Sequence, residues 1–267
     1  MLWVTTPVRL IRFAGETVAH EEDLLVTEAP LEIRIGNTPL AVLMRTPGDD
    51  RDLVLGFALT EGIVSSPSEI ETIRRLDGHP EDARWELVPA EGFTVDPEQF
   101  RRNTYSTSSC GVCGKASIDA VRVAAPELPE GPLVSADVLL SLPGRLRDTQ
   151  ATFAATGGLH AAGAFEPGGR LVGVREDIGR HNAVDKLVGA LAGEGWPLDP
   201  LVLMVSGRVS FEIVQKAAVA RIPFVSGVSA ASSLAVELAN ELGLTLIGFL
   251  RQGTFNVYTG EQRLLGF

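Results

Sequence analysis

The sequence predicts a mixed α+β chain whose second half is an α/β unit, and three observations carry that prediction. Short, strongly apolar runs recur after residue 200: Leu201-Val-Leu-Met-Val205, which is apolar throughout, Ile222-Pro-Phe-Val225 and residues 244–250. Helical patterns over 210–220 and 231–242 stand between them. Strands apolar on both faces that alternate with helices are the signature of parallel βαβ units. The first half lacks this alternation and reads as strands around one helix. The chain therefore divides into an α+β unit over residues 1–117 and an α/β unit over 118–267.

Each element has its own signal. Leu31-Glu-Ile-Arg-Ile35 and Leu40-Ala-Val-Leu-Met44 read as strands, and Gly36-Asn37-Thr38-Pro39 between them predicts a hairpin turn. Asp49 or Asp50 offers an N-cap to a helix over 51–61, which Gly62 closes. Within it Leu53, Phe57 and Thr60 share a face, with Val54 and Ala58 beside them. Strands near 70–76 and 83–88 follow. The segment Asn103-Thr-Tyr-Ser-Thr-Ser-Ser-Cys-Gly-Val-Cys-Gly114 is small, polar and glycine-bearing, with little to bury, and predicts a mobile loop.

In the second unit Ser135 caps a helix, Pro143 suits the first turn of the next, and Gly157 ends it. Residues 159–165 and 170–175 read as strands around the turn Glu166-Pro-Gly-Gly169. Residues 179–192 read as a helix and 255–259 as an edge strand. There is no repeat of fixed period and no low-complexity tract.

Composition narrows the function classes. The chain has 267 residues, 45% hydrophobic and 21% charged, which is a globular profile. Its formal net charge of -11 argues against a general nucleic-acid binder, because neutralising phosphates takes a basic face. A local basic pocket for one anionic ligand remains compatible with it. No apolar run reaches the ~18 residues of a membrane helix. At the start Arg9 and Arg12 follow the apolar stretch, the reverse of a signal peptide, so the expected location is the cytoplasm.

The only two cysteines, Cys110 and Cys113, form one C-x-x-C. A thiolate is a nucleophile when exposed and near positive charge. The loop supplies exposure, and Arg101, Arg102 and Lys115 are close in sequence. Sulfur or redox chemistry is one reading. Half of a zinc site is another, completed by His20, His79, His160, His181 or carboxylates. A thioredoxin-type pair would open a helix in a βαβ unit, whereas Ser/Thr-rich sequence precedes this one.

Polar groups also crowd the start of the 179–192 helix. His181 and Asp185, four apart, share a face with Val184 and Val188. Either this is a core helix with a satisfied histidine and a capping Asp, or Arg180, His181 and Asp185 face a pocket where helix N–H groups favour anions. Three loops follow the predicted strands: Ser206-Gly-Arg-Val-Ser210, Ser226-Gly-Val-Ser-Ala-Ala-Ser-Ser233 and Arg251-Gln-Gly-Thr254. Parallel sheets bind ligands at their carboxyl ends, and Ser-Gly loops entering helices present donors to phosphate. With Arg208 and Arg251 they point to a phosphate-bearing ligand. No G-x-x-x-x-G-K-[ST] is present, which argues against a nucleoside triphosphatase. Thr156-Gly-Gly-Leu-His160 reads first as a helix stop, with His160 a secondary pocket residue.

Several stretches together resemble the FdhD family of formate dehydrogenase accessory sulfurtransferases. They are Thr107-Ser-Ser-Cys-Gly-Val-Cys-Gly114, Thr156-Gly-Gly-Leu-His-Ala161, Arg175-Glu-Asp-Ile-Gly-Arg-His-Asn-Ala-Val-Asp-Lys186, Ser206-Gly-Arg-Val-Ser-Phe-Glu212 and Gly248-Phe-Leu-Arg-Gln-Gly-Thr-Phe-Asn-Val-Tyr258. The likeness runs in order along nearly the whole chain; the first 30 or so residues match nothing distinctive. The resemblance implies a cytidine-deaminase-like second unit and a homodimer. It also implies sulfur transfer from a cysteine desulfurase, through a persulfide on Cys110 with Cys113 assisting, to the molybdenum cofactor in its bis(molybdopterin guanine dinucleotide) form. That cofactor then enters the catalytic subunit of formate dehydrogenase, and a guanine nucleotide would mimic it. The implied cofactor-binding stretch is Phe249, Leu250, Arg251, Gln252, Gly253 and Thr254. Ser206, Gly207, Arg208, Ser226, Gly227 and His181 join it from the loops and helix start. No metal site is assigned to the protein itself. Zinc deaminases pair H-x-E with P-C-x-x-C. Here Ser109 stands in the proline's place and His20-Glu21-Glu22 lies far upstream, so deamination is not expected. A cofactor chaperone without chemistry and a zinc-stabilised interaction module are the competing classes.

Overall fold

The computed structural model describes residues 4–76, 83–95, 125, 128–251 and 253–266. The expected loop over 103–114, with Cys110 and Cys113, lies outside the described residues, as does Gln252.

The chain opens with a feature the sequence reading did not anticipate. Strands β1 (Thr5–Ala14) and β2 (Thr17–Val26) form a two-stranded antiparallel ribbon, turning at Gly15, whose φ is +61°. Both faces of the ribbon carry apolar and polar residues, and Phe13, Ile11 and Val18 are exposed on it. That mixture hid its period-2 pattern.

The expected hairpin is present as β3 (Ala29–Ile35) and β4 (Thr38–Arg45). Helix α1 (Asp50–Thr60) follows, then β5 (Ile70–Leu76) and β6 (Ala83–Pro89). The sheet order is β4-β3-β6-β5, with β3 and β6 parallel and the other pairs antiparallel. The start of α1 differs from expectation. Asp49 holds the cap position at φ +53° without a side-chain cap bond. The Asp50 carboxylate instead takes the fully buried Arg45 guanidinium at 3.0 and 3.1 Å.

The second half runs β7 (Val134–Ser135), α2 (Ala136–Arg147), α3 (Ala151–Thr156), β8 (His160–Phe165), β9 (Leu171–Asp177) and α4 (Arg180–Ala192). It continues β10 (Val202–Val205), α5 (Phe211–Val219), β11 (Phe224–Gly227), α6 (Ser233–Glu241), β12 (Thr245–Arg251), β13 (Thr254–Thr259) and β14 (Leu264–Leu265). The main sheet has the order β13-β12-β11-β10-β8-β9. Strands β10, β11 and β12 are parallel, as their apolar runs predict, and β8, β9 and β13 are antiparallel additions.

Ser135 caps α2 as expected, accepting from Val138 N at 3.3 Å. Pro143, however, lies inside α2 and does not begin a new helix. A helix-interior proline costs about 3 kcal/mol. Leu139, Leu142 and Leu146 recur at i, i+3 and i+7 and are all buried beneath the sheet, so tertiary burial overrides the local break.

The sheet is covered on both faces, and β10 shows how. Leu203 and Val205 join a core built from α1, α4 and α5; Val202 and Met204 join the core under α2. That alternation is the period-2 rule of strands. The first core also takes Leu31 and Ile33 of β3, so one apolar body links the four-stranded sheet, α1, α4 and the main sheet. Helices α1 and α4 approach at paired glycines. A Cβ on Gly56 would lie 1.7 Å from Asp185 O, and one on Gly189 would lie 1.9 Å from Asp52 O. Only glycine at both positions permits this spacing.

Candidate functional site at the carboxyl end of the parallel strands

The carboxyl ends of β10, β11 and β12 lie side by side, because Val205 pairs with Gly227 and Ser226 with Ile247. The loops leaving them are bonded in series. Val209 N–H donates to Ala230 O at 3.0 Å, Ser232 N–H to Val209 O at 3.0 Å, and Phe249 N–H to Ser229 O at 3.0 Å. Phe249 itself takes a left-handed φ of +52°. The rim of the sheet is thus a connected backbone framework. Helices α5 and α6 begin from it, and donors at helix starts favour anions.

Because β8 is antiparallel to β10, its first residue, His160, falls at this same end. The Ser206 hydroxyl accepts from Ala161 N at 2.9 Å, and Ser206 N–H donates to Ala161 O at 2.9 Å, fixing the loop to β8. Gly207 then lies under the His160 ring: a Cβ there would be 3.2 Å from His160 Nδ1 and 3.9 Å from Arg180 Cδ. His160 opposes Asp177 at the end of β9, and α4 starts three residues later with Arg180 and His181. His181 Nε2 is 2.8 Å from Glu212 Oε2 and 3.3 Å from Ser210 Oγ, tying the starts of α4 and α5 together.

The electrostatics are cationic. Burial depresses the His160 pKa below the usual histidine range, and the neighbouring charges of Arg180, His181 and Arg208 depress it further against Asp177. Arg180 Nε is buried without a hydrogen-bond partner among the described residues, and so is Glu212 Oε1. An unsatisfied buried donor or acceptor costs about 1–3 kcal/mol. A native structure carries that cost where a ligand or water completes the bond.

Of the residues expected from sequence, Ser206, Gly207, Arg208, His181, Phe249 and Gly227 all lie at this end. Gly227 leaves room for its neighbours: a Cβ would meet Val209 Cγ2 at 2.6 Å. Arg251, exposed, stands 5.5 Å from the Phe249 ring, and Gly253 and Thr254 complete the turn into β13, where Thr254 Oγ1 donates to Arg251 O. Two of them turn inward. The Ser226 hydroxyl is enclosed and donates to Leu203 O at 3.2 Å, and the Leu250 side chain packs in the core beneath α2.

Asp185, expected at the pocket or as a cap, does neither. It is buried between helices, accepting from Thr60 Oγ1 at 2.7 Å and from Lys216 Nζ at 2.9 Å. Within the Arg175–Lys186 block, Asp177, Asn182 and Lys186 are structural. Lys186 Nζ meets Asp177 Oδ2 at 2.8 Å and Thr46 O at 2.8 Å, and Asn182 Nδ2 donates to Met44 O and Asp177 Oδ1. These bonds hold the end of β4 to the start of α4. Arg180, His160 and Glu212 gain weight at the site from structure. The antiparallel insertion of β8, which no local pattern announces, is what brings His160 there.

Among the described residues no group of His, Cys, Asp and Glu is arranged to hold a metal ion, and no helix is long and apolar enough to cross a membrane. The FdhD/NarQ family profile matches residues 26–265. The sulfur carrier protein FdhD of Streptomyces avermitilis is 49% identical over 270 residues, covering 98% of this chain and 96% of that protein. The sulfur carrier protein FdhD of Sulfolobus acidocaldarius is 41% identical over 247 residues, covering 92% and 93%. A crystal structure from Desulfotalea psychrophila, described as a candidate formate dehydrogenase accessory protein, aligns with TM-score 0.76 at 20% identity. It covers 98% of this chain and 100% of that one, which supports the fold. This chain belongs to the FdhD/NarQ family.

Proposed function

We propose that this protein is a sulfur carrier that serves formate dehydrogenase maturation. Cys110 accepts sulfur as a persulfide from a cysteine desulfurase and delivers it to the bis(guanine dinucleotide) form of the molybdenum cofactor, which is the acceptor substrate. In the loading step the Cys110 thiolate attacks the outer sulfur of the desulfurase persulfide. The S–S bond there breaks, the desulfurase cysteine leaves as a thiolate, and a new S–S bond forms on Cys110 with no net redox change. In the delivery step the Cys113 thiolate attacks Cys110 Sγ; the persulfide S–S bond breaks, its outer sulfur leaves at the sulfide level to the acceptor, and the two electrons come from closure of a Cys110–Cys113 disulfide, which a cellular thiol reductant reopens. The protein works in the cytoplasm as a homodimer, and the sulfurated cofactor passes to the catalytic subunit of formate dehydrogenase.

The observation that carries the acceptor half of this reading is the cationic strand-end site. Arg180, Arg208, His160 and the loops from β10, β11 and β12 converge in an otherwise acidic chain. An acceptor with two nucleotide tails carries phosphates that suit such a site. The relatives' designation as sulfur carriers supports the donor half. The test is maturation of formate dehydrogenase in cells carrying Cys110→Ala. Loss of active dehydrogenase is expected; full maturation would overturn the reading and favour a chaperone without chemistry.

A further inference from the structure

Resting on that reading of the strand-end site, we infer that His160 and Arg180, closing on the bare backbone of Gly207, form a diphosphate seat whose affinity for the acceptor rises as the medium is acidified. Three observations carry it. First, Gly207 is the point where both side chains meet. A Cβ there would sit 3.2 Å from His160 Nδ1, a tight contact, and 3.9 Å from Arg180 Cδ, so the bare backbone lets both side chains close over residue 207 without crowding. Second, Arg180 Nε is an orphaned buried donor in a neighbourhood where Ser206, His181 and Ser210 are all engaged. A planar guanidinium with an unmet Nε–H matches the oxygens of a phosphate. Third, the loop holding Gly207 is bonded to β8 on one side and to the 228–232 loop on the other, so the seat is preorganised.

The charges facing His160 fix the direction of the pH effect. Arg180 and His181 come from α4, Arg208 from the loop after β10, and Asp177 from the end of β9. Burial first, and then the positive charges of Arg180, His181 and Arg208 against Asp177, hold the His160 pKa below the ordinary histidine range. A bound diphosphate adds opposing charge at the same place and favours the imidazolium. By linkage, acidification must then tighten the ligand.

The probe should carry fixed charge, because a terminal phosphate would itself titrate. Guanosine diphosphate mannose and adenosine diphosphate ribose are both diphosphate diesters, and comparing them separates the seat from base recognition. With the purified full chain, calorimetry at pH 7.5 and 5.5 should show Kd falling by roughly tenfold on acidification for both probes, the effect of one added charge-assisted contact. His160→Gln should remove that pH dependence, and Arg180→Gln should weaken binding by about tenfold or more at both pH values. Thermal midpoints of both variants report whether they fold. The His160 ring resonances of the unaltered protein supply a measure independent of any variant: saturation with either probe should move their titration upward by about one pH unit. Binding that is pH-independent, or an unmoved His160 titration, overturns the proposal. Labelled-sulfur loading of Cys110 is read in parallel: its failure removes the carrier reading and leaves the seat standing, and the reverse pattern does the opposite.

Discussion

The Lys216 ammonium of α5 lies 2.9 Å from Oδ1 and 3.0 Å from Oδ2 of Asp185 on α4, with both side chains closed from solvent. Thr60 and Glu61, at the end of α1, complete the cluster: Lys216 Nζ donates to Thr60 Oγ1 and to Glu61 Oε1, each at 2.9 Å. Helix α1 is thereby locked at one buried point to α4 and α5, the two helices whose starts His181 and Glu212 join at the site. Such a pair stabilises weakly as a unit, since desolvation offsets attraction, but breaking it leaves an uncompensated charge. Lys216→Met should cost about 3–5 kcal/mol in chemical denaturation. Adding Asp185→Leu should recover most of that loss, and failure to recover would show that the lock acts through more than charge pairing.

The same cluster predicts an alkaline limit. Burial works against the Lys216 ammonium, but Asp185 and Glu61 outweigh it and hold its pKa above the usual lysine range. The folded state therefore binds this proton more tightly than the unfolded chain does. The contribution is full below the unfolded value, about 10.4, and is lost as pH rises beyond it. Urea midpoints should fall above that pH in the native chain, and Lys216→Met should show a flatter profile.

His160 predicts the acidic side. Its folded pKa is depressed, so the unfolded chain takes up the proton first as pH falls. Stability from this group is present above about pH 6.5 and declines as pH drops through the folded value. His160→Gln should flatten the urea midpoint between pH 7.5 and 5.5 without ligand. A midpoint profile unchanged by the substitution would contradict the depressed pKa.

The α1–α4 crossing predicts intolerance to a single methyl group. Gly56→Ala and Gly189→Ala each force a Cβ into the facing backbone. Overpacking of this kind costs typically 1–3 kcal/mol, and contact with backbone rather than a flexible side chain places these at or above about 3 kcal/mol. A shift in thermal midpoint of either variant by less than a degree or two would mean the helices can separate freely.

How much of this was legible in the sequence differs by feature. The β3–β4 hairpin and the β10–β12 alternation were readable because each rests on local signals, a Gly-Asn turn and short, strongly apolar strands. The β1–β2 ribbon was not, because its apolar residues are distributed over two exposed faces and give no one-sided stripe. Pro143 misled because burial of Leu139, Leu142 and Leu146 outweighs a local helix break. At the site, Gly207 and Arg208 were readable from their place after a predicted strand, whereas Phe249, inside the run over 244–250, came only from the family resemblance. Asp185 was misplaced because its partners, Thr60 and Lys216, are 125 and 31 residues away. His160 and Glu212 acquire their roles from strand order and helix contact, which spacing alone does not encode.

The most direct measurement is the mass of the Cys110 peptide after incubation of the purified chain with a cysteine desulfurase and isotopically labelled cysteine. The account predicts one added labelled sulfur on the Cys110 peptide, removed by thiol reductant and absent from Cys110→Ala. A stoichiometric label that persists in Cys110→Ala, or no label on the intact chain under conditions that charge the desulfurase itself, would contradict it.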